Sequence, residues 1–502
     1  MRARRVAAET SSGQVVPRTH AHSGERGVFA RLLGEDALLV ACTTTFAAAL
    51  VWRLSGQVNQ DAWLALTGGR EIVQHGLPHH DTLTIWGHGG AWIDQQWLAQ
   101  LALYGVHAAG GLALLAFVHA LLTGGAYAAA IAAGRRLGGS SRSVLFLLPV
   151  CFWLLIGSTW QVRTQSLAYL PFVLLLWLLA ADSRAASRRV YLALPLVAVW
   201  GNLHGSAVLG AGLVAIRGTA YLLERPRRSA RAVALLVLAP AMLLVSPYGL
   251  SALGYYHDTL FNPAFGAMLN EWQPTTLGLA TAPFYALGVG AAWLVGRWRS
   301  RLTTFELLAL GFTFASGLLA VRNLGWFAFA ALMLVPPLID EAFPVRPRPA
   351  GTMRLNTGLA LLAAGLLAAL LVTTLARPAT WFEARYPTRA VDAVSRAAAA
   401  DPRARIFADI AFADWLVWLR PELAGRIAYD ARFELLSRRQ IAEIYNFNLP
   451  VGEPWRDPTR GYRLLVLDRA VSDVPIAAFE SEPGARVLYR SSGPVVIARR
   501  AG

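Results

Sequence analysis

The side chains with the most chemical reach stand where apolar runs of the chain end. Asp61 opens the stretch Gln60–Val73, and Asp81 follows in Gly76–Thr84. Asn202 and His204 stand together between two apolar runs. Arg163 and Arg322 each fall between two more, and Glu271 precedes Trp272 in a long joint. Carboxylates can take a proton or hold a metal, and guanidinium and imidazole groups can hold an anion. Each residue also has a plainer reading. An acid at a helix start gains from capping and the helix dipole, which would suffice for Asp61. His204 could simply satisfy a polar helix end, and Glu271 beside Trp272 suits an interfacial anchor. His79, His80 and Asp81 invite a metal, but adjacent histidines cannot easily share one site. The sequence therefore makes no cofactor certain and leaves a divalent metal open.

The elements that must position these groups follow from composition. The 502-residue chain is 55% hydrophobic and 15% charged, with a mean hydropathy of +0.44. A soluble domain carries about a quarter charged residues, which argues against a wholly soluble enzyme. The net charge of +16 is due to arginine, because the chain contains no lysine. These arginines are split among short joints without aromatic interleaving, so a nucleic-acid partner is not expected. Cys42 and Cys151 both lie in apolar runs, which excludes a disulfide framework.

Runs near the ~20 residues needed to cross a bilayer predict an α-helical polytopic membrane protein with about eleven spans. They lie near 36–54, 111–133, 143–157, 164–181, 190–202, 206–223, 232–245, 280–295, 303–320, 323–339 and 355–375. Arginine clusters such as Arg135/Arg136/Arg142, Arg184/Arg188/Arg189, Arg225/Arg227/Arg228/Arg231, Arg297/Arg299/Arg301 and Arg346/Arg348/Arg354 then share one side with the N-terminus. The positive-inside rule makes that side cytoplasmic. Residues 1–35 read as a disordered arginine-rich cytoplasmic tail, 36–376 as the membrane domain. The candidate residues gather at the other face. Arg163 and Arg322 run against the charge bias there, and isolated charges at membrane depth invite a functional reading.

The first outer loop, 55–110, holds five of the chain's ten histidines. Gln60–Val73 reads as an interfacial helix with Trp63, Leu64, Leu66 and Ile72 at the lipid boundary, and Trp92–His107 as a second amphipathic helix. From Arg377 the pattern changes to short strands alternating with helices. Residues 377–502 are expected to form a small extracytoplasmic α/β domain with a mostly parallel sheet. Its strands are expected at Arg405–Phe407, Arg426–Tyr429, Arg463–Leu467, Val487–Tyr489 and Val495–Ala498. Asp430 and Arg432 suit a structural pair at a strand end.

The run Asp61-x-Trp63…Thr67-Gly68…Ile72…Gly76-x-Pro78…Asp81…Trp92…Trp97-Leu98 resembles the first outer loop of bacterial GT-C-like membrane glycosyltransferases. Their superfamily includes protein mannosyltransferases, the aminoarabinose transferase acting on lipid A and the catalytic subunit of oligosaccharyltransferase. Further matches are Trp200-x-Asn202-Leu203-His204-Gly205, Pro247-Tyr248-Gly249, Glu271-Trp272-Gln273-Pro274, Arg322-Asn323 and Tyr429-Asp430-Ala431-Arg432. Two positions depart from the pattern: Gln96 stands where an acid is expected, and Ala431 where glycine is.

The resemblance implies transfer of a sugar from a polyprenyl-phosphate donor to an acceptor, of unknown identity, at the outer face of the bacterial cytoplasmic membrane. It casts Asp61 as general base and Asp81 as a second base, acceptor-orienting group or metal contact. Arg163, His204 and Arg322 would hold the departing phosphate, Asn202 would assist substrate binding, and Glu271 or Asp94 would face an oxocarbenium-like sugar. Two other readings share these features. A transporter would line a path with its charges, but they cluster at one face and no repeat shows. A non-catalytic scaffold could retain the fold, and Gln96 is consistent with that.

Overall fold

The computed structural model describes residues 36–53, 58–159, 161–224, 229–344, 350–450 and 453–500. The N-terminal tail 1–35 lies outside the described residues, as do Trp160, Arg225, Arg227, Arg228, Arg346 and Arg348. Helices stand at every predicted apolar run. Among the described residues, four helices are long and apolar enough to cross a membrane: Trp97–Arg136, Thr164–Arg184, Ala207–Glu224 and Met353–Leu375. Val321–Leu334 and Pro336–Ala342, bent by 52°, add a fifth if they form one span. Ala37–Trp52, Ser141–Gly157, Ala230–Met242 and Thr304–Leu319 are apolar but shorter. Helix length among the described residues thus supports four or five spans and does not establish the expected figure of about eleven.

The helical core is aromatic. Trp326 packs 5.0 Å from Phe172 and 5.9 Å from Trp200, ring centre to ring centre, and all three are buried. The expected amphipathic helix at Trp92–His107 is instead the first third of Trp97–Arg136, which breaks at Gly110–Gly111. Gly111 takes φ 64°, a left-handed value that glycine adopts without strain.

The first-loop helix, Gln60–His75, is held between two partners. One is the start of Trp97–Arg136: a Cβ on Gly69 would lie 2.4 Å from the backbone carbonyl oxygen of Gln100, so glycine is what allows this approach. The other is the tail helix Ile410–Leu419, whose last carbonyls, at Val417 and Trp418, accept from the Arg70 guanidinium at 2.9 and 2.7 Å. Trp63, Leu64 and Leu66 are buried in protein rather than placed at the lipid boundary, with Trp63 edge-on to Tyr386 at 5.5 Å. An apolar helix stripe shows that something covers it, not whether the cover is lipid or another helix.

The tail folds on a four-stranded sheet of β1 (Ile406–Ala408), β2 (Leu464–Asp468), β3 (Arg486–Arg490) and β4 (Pro494–Ala498), in the order β1-β2-β4-β3. Only β1 and β2 pair in parallel; β4 is antiparallel to both β2 and β3. The sheet is therefore mixed rather than mostly parallel. A parallel β3–β4 pair would need a long crossover, and the link here is a tight turn. Arg426–Tyr429 forms only single bridges, from Ile427 to Thr84 and to Ile406. The first loop completes the tail's core. Ile85 and Trp86 donate their backbone N–H to Ile427 and Ala428, and Trp86 stacks on Tyr429 at 5.2 Å.

Candidate active site

A cavity of about 550 Å³ lies where the first loop, the ends of several apolar helices and the tail meet. Asp61, Arg163, His204, Glu271 and Arg322 all line it. Asp61 comes from the first turn of Gln60–His75. It does not cap that helix: Asn59 occupies the cap position, and no side chain there makes a capping hydrogen bond. Instead, its Oδ2 lies 3.4 Å from Arg163 Nε. Arg163 immediately precedes the short 3-10 turn Thr164–Leu167. Its Nη1 donates to Gln165 at 3.3 Å and lies 3.8 Å from Glu271 Oε2. The other Glu271 oxygen is 3.9 Å from Arg322 Nη1, and Arg322 lies 4.3 Å above the Trp272 ring. Asp61, Arg163, Glu271 and Arg322 thus form an alternating chain of charges along one wall.

These pairs are long, and both guanidinium groups line the cavity. Burial pushes the Asp61 carboxyl above the ordinary carboxylate range, and Arg163 pulls it part of the way back. The group lies deep in the protein, although a third of its side-chain surface is open to the cavity. His204 Nδ1 accepts from the Ser206 backbone N–H at 3.1 Å and contacts its hydroxyl at 2.8 Å, which turns Nε2 into the donor.

Asn202 and Asp81 stand apart from this cavity. Asn202 lies one layer behind it. Its Oδ1 accepts from Trp97 Nε1 at 2.8 Å, and its Nδ2 donates to the carbonyls of Ala198 and Val245. Asp81 is fully buried between the first loop and the tail. It accepts from Arg432 Nη2 at 2.7 Å, from the Leu83 N–H at 3.0 Å and from the Thr84 hydroxyl at 2.6 Å. Although burial alone would raise it, Arg432 and these donors hold its carboxyl below the usual range. Asp430 accepts from Arg432 Nε and Nη2, so the Asp430–Arg432 pair of the tail motif extends to Asp81 through the shared Nη2. Asp94 is likewise buried off the cavity. Its carboxyl is pushed up to about 7 by burial, with Gln100 donating to one oxygen at 2.9 Å. Among the described residues no three His, Cys, Asp or Glu side chains gather as a metal group. His79 instead lies edge-on to Tyr248 at 5.7 Å.

The overall arrangement is that of known structures. ArnT from Cupriavidus metallidurans in the apo state superposes with a TM-score of 0.52 at 14% identity, over 90% of this chain and 96% of that one. The chain has the GT-C fold. The same ArnT bound to undecaprenyl phosphate and the apo oligosaccharyltransferase of Archaeoglobus fulgidus align with TM-scores of 0.49 each. Their identities are 14% and 12%, over 92% and 86% of this chain and 97% and 69% of those. No protein-family model matches the sequence, and no curated sequence matches it.

Within this GT-C fold the tail itself supplies cavity wall, through Ala431, Phe433 and Glu434. Glu434 carries no motif signal in the sequence. It reaches the cavity because its neighbour Arg432 is anchored to Asp81 and Asp430 at the turn. Burial pushes its carboxyl up to about 7, with Arg432 opposing and Asp430 reinforcing the shift. Tyr255, Tyr256 and Thr259, from the helix Ala252–Leu260, line the same space. Gln96, which replaces an expected acid, also lines the cavity and accepts from the Thr164 hydroxyl at 2.6 Å. The cavity wall thus carries the carboxyls of Asp61, Glu271 and Glu434, the guanidinium groups of Arg163 and Arg322, and a half-apolar lining.

Proposed function

We propose that this chain is a membrane glycosyltransferase that moves a sugar from a polyprenyl-phosphate donor to an acceptor at the outer face of the bacterial cytoplasmic membrane. The observation that carries the reading is the gathering of Asp61, Arg163, His204, Glu271 and Arg322 around one cavity, from five separate stretches of sequence. In this reading Arg163 and Arg322 hold the donor phosphate, and His204 donates to it through Nε2. Asp61 takes the acceptor hydroxyl proton as that oxygen bonds to the sugar's anomeric carbon. The bond from that carbon to the phosphate oxygen breaks in the same displacement, which inverts the centre. Polyprenyl phosphate leaves with the bonding electron pair and is stabilised by the preplaced guanidinium groups. Glu271, linked to both arginines, sets their spacing and faces the developing positive charge on the sugar. Asp81 and Asn202 act from behind the cavity: Asp81 by anchoring the tail, Asn202 by fixing Trp97 and the 202–204 joint.

The same reading puts the N-terminus in the cytoplasm and residues 377–502 outside, as arginine placement favours. The chemical test uses a labelled polyprenyl-phosphate sugar with membranes of the native host as acceptor source. Transfer that depends on Asp61 and Arg322 supports the reading, and no transfer with any such donor opposes it. A reporter fused after Gly502 that is active only in the cytoplasm would refute the topology.

A further inference from the structure

The long helix Trp97–Arg136 carries a histidine that the site chemistry does not use. His119 is 1% exposed and lies beyond the break at Gly110–Gly111. Its Nε2 lies 2.9 Å from the Thr159 carbonyl oxygen, and its Nδ1 2.8 Å from the Ser166 hydroxyl. A carbonyl only accepts, so Nε2 carries the ring proton and donates, and Nδ1 accepts from Ser166. The two partners end one short link. Thr159 is the last residue of the helix Ser141–Thr159, whose final carbonyls lack intrahelical partners. Ser166 belongs to the turn Thr164–Leu167, and its backbone N–H donates to the Arg163 carbonyl at 3.0 Å.

Arg163 is the only charged residue between Thr159 and Ser166. Its turn is gripped from both halves of the broken helix. Gln96, directly before Trp97, accepts from the Thr164 hydroxyl on one side of the break, and His119 holds Ser166 from the other. Thr164, Gln165 and Ser166 are all buried, and the Gln165 side chain accepts from Arg163 itself. A buried imidazole needs two partners, but they can be of any kind. Here both lie on the one link that bears a cavity guanidinium, and a histidine set inside a membrane-length helix invites a functional reading.

We propose that His119 is the positioning residue for Arg163: it ties Thr159 to Ser166 and so sets the turn that aims the guanidinium at Asp61 and Glu271. Arg163 Nε lies 3.4 Å from Asp61 Oδ2, and its Nη1 3.8 Å from Glu271 Oε2, separations that a small rotation of the turn would change. His119 itself touches no reacting atom. Its effect on sugar transfer rests on the reading above, in which Arg163 holds the donor phosphate. A misplacement of about 1 Å at such a contact costs about 10²-fold in rate.

The test uses the full chain and two kinds of measurement, of which the first needs no donor. The Asp61 carboxyl is followed across pH by infrared difference spectroscopy, as the band lost in Asp61→Asn. Arg163→Gln removes the opposing charge and should move this titration to higher pH. His119→Leu should move it the same way, because Arg163 is no longer held beside Asp61. His119→Gln keeps one donor and one acceptor and should restore the wild-type titration. The second measurement is transfer from a labelled polyprenyl-phosphate sugar. His119→Leu should lower kcat/KM by about 10–100-fold in the wild-type background but by less than about twofold in Arg163→Gln, the non-additivity of residues that act as a unit. Ser166→Ala removes one of the two bonds at nearly constant volume and takes the place of His119→Leu if that variant does not fold. An unmoved Asp61 titration in the folded variant overturns the proposal, and so does an equal loss of transfer in both backgrounds. Absence of transfer by the unaltered protein opposes only the donor reading, because the titration still decides how Arg163 is held.

Discussion

Replacing Asp61 by asparagine separates the two readings of this residue, because the structure gives them different magnitudes. As a structural group Asp61 contributes little. It makes no capping hydrogen bond, and its partner Arg163 lies 3.4 Å away across a site open to water on one side. A partly exposed pair of this kind is worth at most about 1 kcal/mol. Arg163 also keeps Glu271 within 3.8 Å after the change. Asparagine is nearly isosteric and retains a dipole at the helix start, so the folded protein should melt within a few degrees of the parent. As a general base the same residue carries far more, since losing one slows a reaction by about 10²–10⁴-fold. At 1.36 kcal/mol per factor of ten, that is about 2.7–5.4 kcal/mol of transition-state stabilisation.

The assay is transfer from labelled polyprenyl-phosphate sugar, read beside thermal unfolding of the same purified sample. A pH profile adds an independent check. The base acts when ionised, so activity should fall as pH falls through the folded pKa of Asp61. Burial puts that limb above the ordinary carboxylate range of about 3.9. Arg163→Gln removes the charge that pulls the pKa down and should move the limb to higher pH, besides weakening phosphate binding. Wild-type transfer by Asp61→Asn, at an unchanged melting temperature, would refute the base assignment. The search would then pass to Glu434, which also faces the cavity and is pushed up to about 7.

Arg322→Ala should raise the donor KM and lower kcat together, because a phosphate contact serves both binding and departure of the leaving group. Arg322→Lys should recover only part of the loss, since the ammonium lacks the planar fork and stacks poorly on Trp272; full rescue would argue against fork recognition. Arg432→Met leaves Asp81 and Asp430 buried without their cation. We expect a cost of about 3–5 kcal/mol and, by limited proteolysis, a tail that separates from the first loop. Asp409 gives a stability prediction of defined sign. Burial pushes its carboxyl up to about 7, while the unfolded chain titrates near the ordinary value of about 3.9. Between those pH values the folded state holds the proton more tightly, so its stabilising share is full below the lower value and is lost as pH rises towards 7. Asp409→Asn should flatten that decline in melting curves, and an unchanged slope would refute the argument.

The helical segments were legible because twenty-residue apolar runs have few alternative fates, whereas their status as full spans was not. Runs such as 143–157 and 232–245 become helices too short for length alone to establish a crossing. In the tail, helix and strand positions at Arg438–Tyr445, Arg463–Leu467 and Val495–Ala498 follow from local periodicity and appear within a few residues. The helix Thr388–Ala400 is absent from the expected elements, although Ala390, Val391, Val394 and Ala398 give it one buried face. Strand direction was illegible, being fixed by the tight turn between β3 and β4 rather than by any residue type. Of the site, five residues announced themselves as charges or polar groups at helix ends, where burial is costly without a purpose.

The separation of Asp81 from Asp61 could not have been read from spacing, and its cause shows how this fold builds the site. Twenty residues of loop between two carboxylates allow either a shared cavity or opposite sides of one helix. The deciding partner, Arg432, is 351 residues further on. With Arg432 anchored to Asp81 and Asp430, the turn it belongs to presents Ala431, Phe433 and Glu434 to the cavity. Arg70 and Trp63 fix the same tail from the other end, through the carbonyls of Val417 and Trp418 and the ring of Tyr386. The first loop therefore has two roles on its two sides. One side carries Asp61 to the arginines, and the other holds the tail in place as the opposite wall. Loss of either anchor should open the cavity to water even with Asp61, Arg163 and Arg322 intact. In the transfer assay such a variant would hydrolyse the donor in preference to transferring the sugar.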